Sequence, residues 1–305
     1  MTEYHVGTGG WAYFKIPRKP SLKAYSEIFN FVEVNSTFYD YPDTRTVERW
    51  RRTVPKDFTF TVRCHQDLTH RIGLKPDDYA YSVFGRMLEI CRILDAPMLH
   101  LLTPATYVLN SEEIKQARDF LATTVNLKGV HLAWEIRSHV TTKLLNLLRD
   151  FQIIHAVDLS REEPAHKSDI IYSRVFGKGK HNIYQFTDEE LVEVDQKILK
   201  AETKRALVSF HGIRMSRDAA RFKRYKETGE FMPVTSYTGK ESAIAVLQED
   251  AKFPSTRTEL VDHQGWKVID LTAQKRVHMS DLLRKLPEKA YMNVQEVIRE
   301  LEAFL

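Results

Sequence analysis

The chain has few cysteines, no long apolar run and no one-sided charge. Cys64 and Cys91 are its two cysteines in 305 residues, too few for a disulfide framework or a four-thiolate zinc site. No segment approaches the roughly 18 uninterrupted apolar residues of a membrane-spanning helix. The opening MTEYHVGTGG lacks the charged and then apolar stretches of a secretion signal. We therefore expect a soluble, cytoplasmic protein that does not associate with a membrane.

The composition is that of an ordinary globular protein. Hydrophobic residues make up 43% of the chain and charged residues 28%, which argues against a disordered or fibrous protein. There are 45 lysines and arginines against 41 aspartates and glutamates, a formal net charge of +4. This small excess is compatible with anionic substrates, but it does not require a nucleic-acid partner.

Eight short β-rich segments alternate with amphipathic helical segments. This alternation predicts parallel strands joined by crossover helices. Eight such units within about 210 residues match an α/β protein with a (β/α)8 barrel of the TIM type. A doubly wound open sheet is the alternative, but no Gly-x-Gly-x-x-Gly motif opens a helix after a strand. The predicted strands are Tyr4–Thr8, Phe31–Thr37, Phe58–His65, Met98–Leu102, Val130–Arg137, Gln152–Asp158, Ile170–Phe176 and Arg205–His211.

Several helices have recognisable starts. Thr187 and Glu190 have the spacing of a capping box, in which a hydroxyl and a carboxylate satisfy two free amides. Asp43, Ser111 and Thr141 are predicted to cap three other helices.

The alternation changes at about residue 229. We therefore divide the chain into a barrel, residues 1–228, and a small α+β C-terminal extension, residues 229–305, which could recruit a protein partner. The extension's predicted elements are helices Ser242–Asp250 and Asn293–Leu305 and strands Trp266–Leu271 and Arg276–His278.

Polar side chains recur on one face of the predicted strands. In the second strand, Glu33 and Asn35 alternate with Val32 and Val34, and the third and fifth strands show the same pattern. The apolar faces should contact the helices, which leaves the polar faces toward the barrel interior. Ionisable groups there are costly unless they are paired or functional, and these gather near the carboxyl ends of the strands, where barrel enzymes have their active sites.

These residue types suggest acid–base chemistry on an anion. Arginines can hold phosphate or carboxylate through two parallel hydrogen bonds, while carboxylates and histidines can transfer protons. No HExxH motif or close histidine pair specifies a metal, so the cofactor stays open and a divalent cation remains compatible with these side chains. The predicted catalytic residues are Glu33, Glu135, Asp158 and His211. The predicted substrate-binding residues are Trp11, Tyr13, Asn35, Tyr39, Arg63, His65, His70, Arg137 and Arg174.

Each of these features also has a structural interpretation. The glutamates and arginines could form an interior ion-pair network that only holds the barrel closed. The loop Gly7–Tyr13 could contact a ligand through glycine and aromatic residues, or be a tight turn with packed aromatics. The basic loop Phe176–Lys180 could bind phosphate or be a solvated turn. For His5, His131 and His155 we expect buried core histidines.

Several segments resemble the family called domain of unknown function 72. They are GTGGWAY, FVEVNSTFYDYP, the pair Arg49-Trp50, FTFTVRCHQDLTH and AWEIRSHV, in order from about residue 5 to 140, with a looser match to about residue 225. The resemblance implies a (β/α)8-type barrel and no established activity. The motif positions that it implies are Gly7, Trp11, Tyr13, Glu33, Asn35, Tyr39, Arg63, Thr69, His70, Glu135, Arg137, Asp158 and Arg174.

The sequence departs from the family pattern in three places. Ser138 stands where a histidine is common, Phe176 precedes Gly177 where the family has His-Gly, and His211-Gly212 replaces Asn-Asn. Either the same site is rebuilt with a histidine from another strand, with His211 as the candidate, or the activity is altered.

These observations predict a hydrolase that acts at the barrel mouth on an anionic, phosphate-bearing substrate, with nucleic acid as one version of that substrate. The first alternative is a sugar or sugar-phosphate isomerase or lyase that uses paired carboxylates and histidines in a small closed pocket. The second is a non-catalytic module that binds a ligand or nucleic acid.

Overall fold

Eight parallel strands form a barrel in the computed structural model, which describes residues 2–124, 127 and 129–305. The strand order is β6-β5-β4-β3-β2-β1-β8-β7, and a bridge between Val157 and Ser173 joins the two ends of the sheet. This confirms the predicted α/β barrel. The strands are β1 Glu3–Thr8, β2 Phe31–Val34, β3 Thr59–Arg63, β4 Met98–Thr103, β5 His131–Ile136, β6 Ile154–Ala156, β7 Ile170–Val175 and β8 Arg205–Phe210.

Helices connect most of the strands. They are α1 Ser21–Ser26, α2 Thr44–Thr53, α3 Asp78–Leu94, α4 Ser111–Thr123, α5 Thr142–Asp150, α6 Asp188–Lys200 and α7 Met215–Thr228. The crossover from β6 to β7 differs, because residues 157–169, all of which the structure describes, contain no α-helix. Over the described ranges, no helix has both the length and the apolar character needed to cross a membrane.

The strands are mostly shorter than the sequence predicts. The second ends at Val34 because Ser36–Phe38 turns into a 3-10 helix. The sixth begins at Ile154 because Gln152 has a φ of 53°, outside the extended region. Asp43 and Thr141 cap helices as predicted, whereas Asn110 rather than Ser111 caps α4, with Oδ1 accepting the amides of Glu112 and Glu113.

Alternation along the strands sets the barrel interior. Phe31 and Ala133, which strand alternation puts on the same faces as Glu33 and Glu135, belong to a buried cluster with Met98, Tyr172 and Leu207. His5 and His155 are buried as predicted, but the prediction for His131 was wrong, because this first residue of β5 is exposed.

The chain contains two compact units. The first comprises the residues up to Val175 together with Lys197–Phe210, and so holds all eight barrel strands. The second comprises Phe176–Gln196 and His211–Leu305. The boundary between residues 228 and 229 stays a prediction.

The second unit has its own apolar core, which includes Leu247, Ile269, Leu283 and Leu301. Two of its helices have bounds that differ from the prediction: α8 covers Gly239–Gln248 rather than Ser242–Asp250, and the last α-helix ends at Leu301 rather than Leu305. Short elements that the sequence did not predict complete the unit. Its elements are α8 Gly239–Gln248, α9 Arg257–Gln264, α10 Met279–Leu283 and α11 Val294–Leu301, with the antiparallel pairs β10 Val268–Asp270 with β11 Arg276–His278 and β9 Ser255–Thr256 with β12 Ala290–Tyr291.

A chain of buried ion pairs runs through the second unit. The Asp188 carboxylate accepts from Arg221 Nη2 and from Arg276 Nη1, each at 2.6 Å. Arg276 Nε also donates to Asp270 Oδ1 at 2.8 Å. The start of α6, helix α7 and the extension are therefore tied together by charge.

Candidate functional site

An ion-pair network occupies the interior of the barrel. Arg174 on β7 donates from Nε to Glu33 Oε2 at 3.0 Å and from Nη2 to Glu33 Oε1 at 3.2 Å. Its Nη1 donates to Glu135 Oε2 at 2.6 Å, so one guanidinium links β2, β7 and β5. Tyr172, two residues before Arg174 on the same face of the strand, donates its hydroxyl to Glu33. Burial opposes the charge of Arg174, but the two carboxylates raise the pKa of its guanidinium.

Glu135 connects this interior network to the barrel mouth. Its Oε1 accepts a 2.8 Å hydrogen bond from Arg137 Nε, and the Arg137 side chain is 45% exposed. Burial alone would raise the pKa of Glu135, but Arg174 and His100 hold it well below its ordinary value. Glu135 is therefore a stable carboxylate at neutral pH and a poor proton acceptor.

His100 is a fully buried titratable ring of the site. Its Nε2 lies 3.5 Å from Glu135 Oε2 and its Nδ1 lies 3.8 Å from Glu33 Oε2. Burial lowers the pKa of His100, while the Glu135 contact opposes that effect.

Arg63, the last residue of β3, is a buried cation of a different kind. Its Nη1 donates to Asn35 Oδ1 at 2.6 Å, and its guanidinium carbon lies 3.7 Å from the centroid of the Phe38 ring. Its Nε is buried without a hydrogen-bond partner. Within the part of the chain that the structure describes, no carboxylate lies within salt-bridge distance of Arg63. Burial, followed by the nearby charge of Arg174, lowers the pKa of this guanidinium, and the charges of Glu33 and Glu135 beyond salt-bridge distance oppose that shift only in part.

His70 stands over the same aromatic ring. It lies in the π-helical turn Asp67–Ile72, and its ring packs edge-on against Phe38 with centroids 4.9 Å apart. Its Nδ1 is 2.9 Å from Thr69 Oγ1. Burial, followed by the charges of Arg63 and Arg137, lowers the pKa of His70. The site therefore places a neutral imidazole beside two guanidinium groups.

The His65 ring is fixed in place by contacts with neighbouring residues. Its ring stacks on Tyr41 with centroids 4.0 Å apart, and its Nδ1 accepts the Asp67 amide at 3.2 Å. Its Nε2 is 3.3 Å from the Tyr39 carbonyl oxygen. These contacts position the loop that carries Tyr39.

Three predicted aromatic residues lie on the loops that follow β1 and β2. Tyr13 is 87% exposed and Tyr39 is 60% exposed. Trp11 is half-buried and packs edge-on against Trp50 of α2, with centroids 5.2 Å apart.

Two predicted catalytic residues have local structural contacts. Asp158 accepts from the Ser160 amide at 2.9 Å and from its hydroxyl at 2.6 Å, which fixes the turn after β6. His211 belongs to the second unit and stacks on Phe176, with centroids 4.9 Å apart. In that unit Lys178 of the basic loop pairs with Glu190 at 3.4 Å. The roles assigned to these residues stay predictions.

Two contributors to the site were missed by sequence reasoning. Tyr172 could have been found by applying strand alternation to the seventh strand, where it shares a face with Arg174. Phe38 had no comparable signal, because its position under Arg63 depends on the 3-10 turn Ser36–Phe38. Across the described residues, no three His, Cys, Asp or Glu side chains are grouped so that they could hold a metal ion.

Two bacterial proteins resemble part of this chain in sequence. The UPF0759 protein YecE of Escherichia coli is 31% identical over 106 residues, which is 34% of this chain and 38% of that protein. The UPF0759 protein YunF of Bacillus subtilis is 29% identical over 103 residues, 32% of this chain and 35% of that protein. The matched regions thus span well under half of these relatives.

Solved structures share the fold. A DUF72 family protein from Thermotoga maritima superposes with a TM-score of 0.60 at 22% identity, covering 74% of this chain and 99% of that one. One from Enterococcus faecalis gives 0.57 at 14% identity, with 74% and 98% covered. A D-tagatose 3-epimerase-like protein gives 0.50 at 14% identity, with 74% and 96% covered, which is a likeness of fold alone.

The family model described as Protein of unknown function DUF72 matches residues 5–234, which is most of the chain. The match covers all eight barrel strands except the first two residues of β1. The chain therefore belongs to the DUF72 family.

Proposed function

We propose that the mouth of the barrel binds a phosphate-bearing substrate and hydrolyses its phosphoester bond. The observation that carries the proposal is Arg63, a buried guanidinium without a carboxylate at salt-bridge distance over the described ranges. A buried charge is costly unless an opposite charge compensates it, and a phosphate does so through two parallel hydrogen bonds. The unpartnered Nε of Arg63 supplies one such donor.

Arg137 supplies a second cation, which is partly exposed to solvent where Arg63 is buried. Its Nε is held by Glu135, and nearly half of its side chain faces solvent. The ionised Glu135 thus acts as a positioning residue that orients Arg137, rather than as the group that moves a proton. Two guanidinium groups could share the charge that develops on a phosphoryl group during its transfer.

His70 is the candidate general base. Its lowered pKa keeps the imidazole neutral at pH 7, as proton acceptance requires. In the proposed step a water oxygen forms a bond to phosphorus while the ester P–O bond breaks. The water proton passes to His70, and the leaving alkoxide takes a proton from solvent. Arg63 and Arg137 stabilise the phosphoryl oxygens.

The isomerase alternative receives less support from this geometry. Paired carboxylates that exchange protons with a sugar would have to gain and lose protons near neutral pH. Here Arg174 binds both Glu33 and Glu135, and it holds the pKa of Glu135 well below its ordinary value. Glu135 is therefore better suited to holding cations than to moving protons.

Phosphate binding and turnover together test the proposal. Inorganic phosphate should raise the melting temperature of the wild-type protein by mass action and should fail to do so in Arg63→Met. Arg118→Ala, which removes an exposed ion pair with Asp150, is the matched control and should respond as the wild type does. Aryl phosphate monoesters and diesters then report turnover, which should be lost in His70→Gln. Stabilisation without turnover of either class would favour the non-catalytic binding module, and absence of stabilisation would refute the phosphate site.

A further inference from the structure

Two neighbouring segments concentrate positive charge beside the barrel mouth. Residues 9–26 contain four lysines or arginines and no aspartate or glutamate. Residues 44–56 contain five basic residues and one acidic residue, and they are flanked by Asp40, Asp43 and Asp57. The whole chain has a formal net charge of only +4. Together the two segments contain nine basic residues and one acidic residue.

The two segments form one surface. The first follows β1 and the second lies after β2, so both start from the carboxyl ends of adjacent strands. Trp11 of the first contacts Trp50 of the second edge-on at 5.2 Å. Tyr39, on the connection between β2 and α2, adjoins Phe38, the ring beneath Arg63. The surface is thus continuous with the proposed phosphate site.

Most of its exposed cations are not neutralised by the protein. Lys15, Arg18, Arg45 and Arg49 are all exposed, and among the described residues none of them has a carboxylate within salt-bridge distance. Arg49 donates only to Thr46 Oγ1 at 3.3 Å. Such a patch attracts a polyanion, whose phosphates release counterions when they bind.

Exposed aromatic rings accompany these cations. Tyr13 and Tyr39 are 87% and 60% exposed, values that leave most of each ring in contact with solvent. Rings displayed among cations are the pattern by which proteins bind unpaired bases, since every base offers a face for stacking. A duplex hides those faces inside its stack, so this combination favours a single strand.

We propose that the surface formed by Tyr13, Lys15, Arg18, Tyr39, Arg45 and Arg49 binds single-stranded nucleic acid and leads one of its phosphates to Arg63. The inference rests on the proposed phosphate site and names its substrate class. Lysine and arginine contact the backbone, the two tyrosines stack on bases, and Arg63 receives the phosphate at the barrel mouth.

Fluorescence anisotropy on the full chain tests the inference. The probes are a labelled single strand of about 12 nucleotides, long enough for several stacking contacts, and its duplex. Arg45→Glu/Arg49→Glu should weaken binding of the single strand at least roughly tenfold, and Tyr13→Ala roughly fivefold or more. Lys115→Glu/Arg118→Glu on α4 makes the same charge change elsewhere on the barrel and should change affinity far less. Raising salt from about 50 to 200 mM should weaken wild-type binding steeply.

The outcomes separate this inference from the proposed function. Arg45→Glu/Arg49→Glu should retain stabilisation by inorganic phosphate, because neither arginine contributes to the Arg63 site. Strand binding that is absent in the wild type, or that is equal in this variant and in the α4 control, overturns the nucleic-acid surface. Duplex binding as tight as single-strand binding, together with no effect of Tyr13→Ala, overturns it as well. If phosphate fails to stabilise the protein while strand binding depends on Arg45 and Arg49, the phosphate-hydrolysis proposal falls and the surface stands.

Discussion

Arg174 and Glu33 form a two-point ion pair in the barrel interior, with Nε and Nη2 donating to the two carboxylate oxygens at 3.0 and 3.2 Å. The residues are 141 positions apart and lie on β7 and β2, strands that are not neighbours in the sheet. Their pairing therefore spans the barrel, and with Glu135 it compensates charges that would otherwise be costly to bury.

Removing the cation from this pair should destabilise the protein strongly. Arg174→Met leaves Glu33 and Glu135 without their shared partner, and breaking a buried pair typically costs about 3–5 kcal/mol. The free energy of unfolding from urea denaturation measures the effect. Arg118→Ala is the control, because its exposed pair should contribute no more than about 1 kcal/mol. A loss for Arg174→Met as small as that of the control would contradict a structural role for the network.

A second prediction concerns Gly7, which lies near the end of β1. A Cβ at this position would lie 1.9 Å from the Phe31 carbonyl oxygen and 2.7 Å from the Tyr25 hydroxyl. Gly7→Ala should therefore lower the free energy of unfolding by roughly 3 kcal/mol or more through overpacking. Gly85→Ala, in the middle of α3 with open space around the new methyl group, should instead stabilise by about 0.5–1 kcal/mol. Equal effects of the two substitutions would refute the packing argument.

Local rules predicted the elements of the barrel well. Alternation placed Glu33 and Glu135 on inner faces, and the structure confirms the eight parallel strands. Those rules give no distances between strands on opposite sides of the barrel. They therefore could not predict that one guanidinium, that of Arg174, contacts both glutamates. The sequence offered an interior ion-pair network as one interpretation, and that network is present.

Features that depend on irregular backbone were predicted less well. Phe38 lies under Arg63 because β2 stops at Val34 and turns, whereas a continued strand was predicted through Thr37. The glycine motif predicts either ligand approach or a tight turn, whereas Gly7 is required by close packing against the Phe31 carbonyl oxygen and Tyr25 of α1. Side-chain alternation is a short-range signal, and both features arise from packing against distant parts of the chain.

A third prediction concerns His155 on β6, whose Nδ1 accepts the Ala165 amide at 3.0 Å beside a cavity of about 250 Å³. Burial, followed by the charge of His166, lowers the pKa of His155 to about 4. The folded state therefore holds this ring neutral while the unfolded state, with an ordinary pKa near 6.5, binds a proton as pH falls. Stability from this group is complete above pH 6.5 and is lost on acidification from there to about pH 4.

The measurement compares wild type with His155→Gln, which keeps a hydrogen-bond acceptor and removes the titration. Between pH 7 and pH 5 the wild type should lose about 2 kcal/mol of unfolding free energy more than the variant does. Parallel pH dependence of the two proteins would show that His155 titrates normally in the folded state.

A fourth prediction concerns the electrostatic coupling of His70 to Arg63. Because the Arg63 charge is one cause of the lowered pKa of His70, Arg63→Met should move the midpoint of the His70 titration upward, toward 6.5. Arg63→Lys keeps the positive charge and should keep the midpoint low. Imidazole resonances followed by NMR across pH give both values. An unchanged midpoint in Arg63→Met would show that the charge of Arg63 does not influence the titration of His70.

Bound phosphate should also raise the midpoint of the His70 titration, because its negative charge offsets that of Arg63. A phosphate on Arg63 brings negative charge close to His70 and offsets the guanidinium, so saturating phosphate should raise the His70 midpoint in the wild type. The effect should disappear in Arg63→Met, where the midpoint is already raised and no anion is held. If His70 accepts the water proton, kcat/KM should fall on the acid side with the midpoint of the free enzyme, and kcat with the higher midpoint of the phosphate-bound form. A rise of the midpoint on phosphate binding in both proteins would place the anion elsewhere than on Arg63.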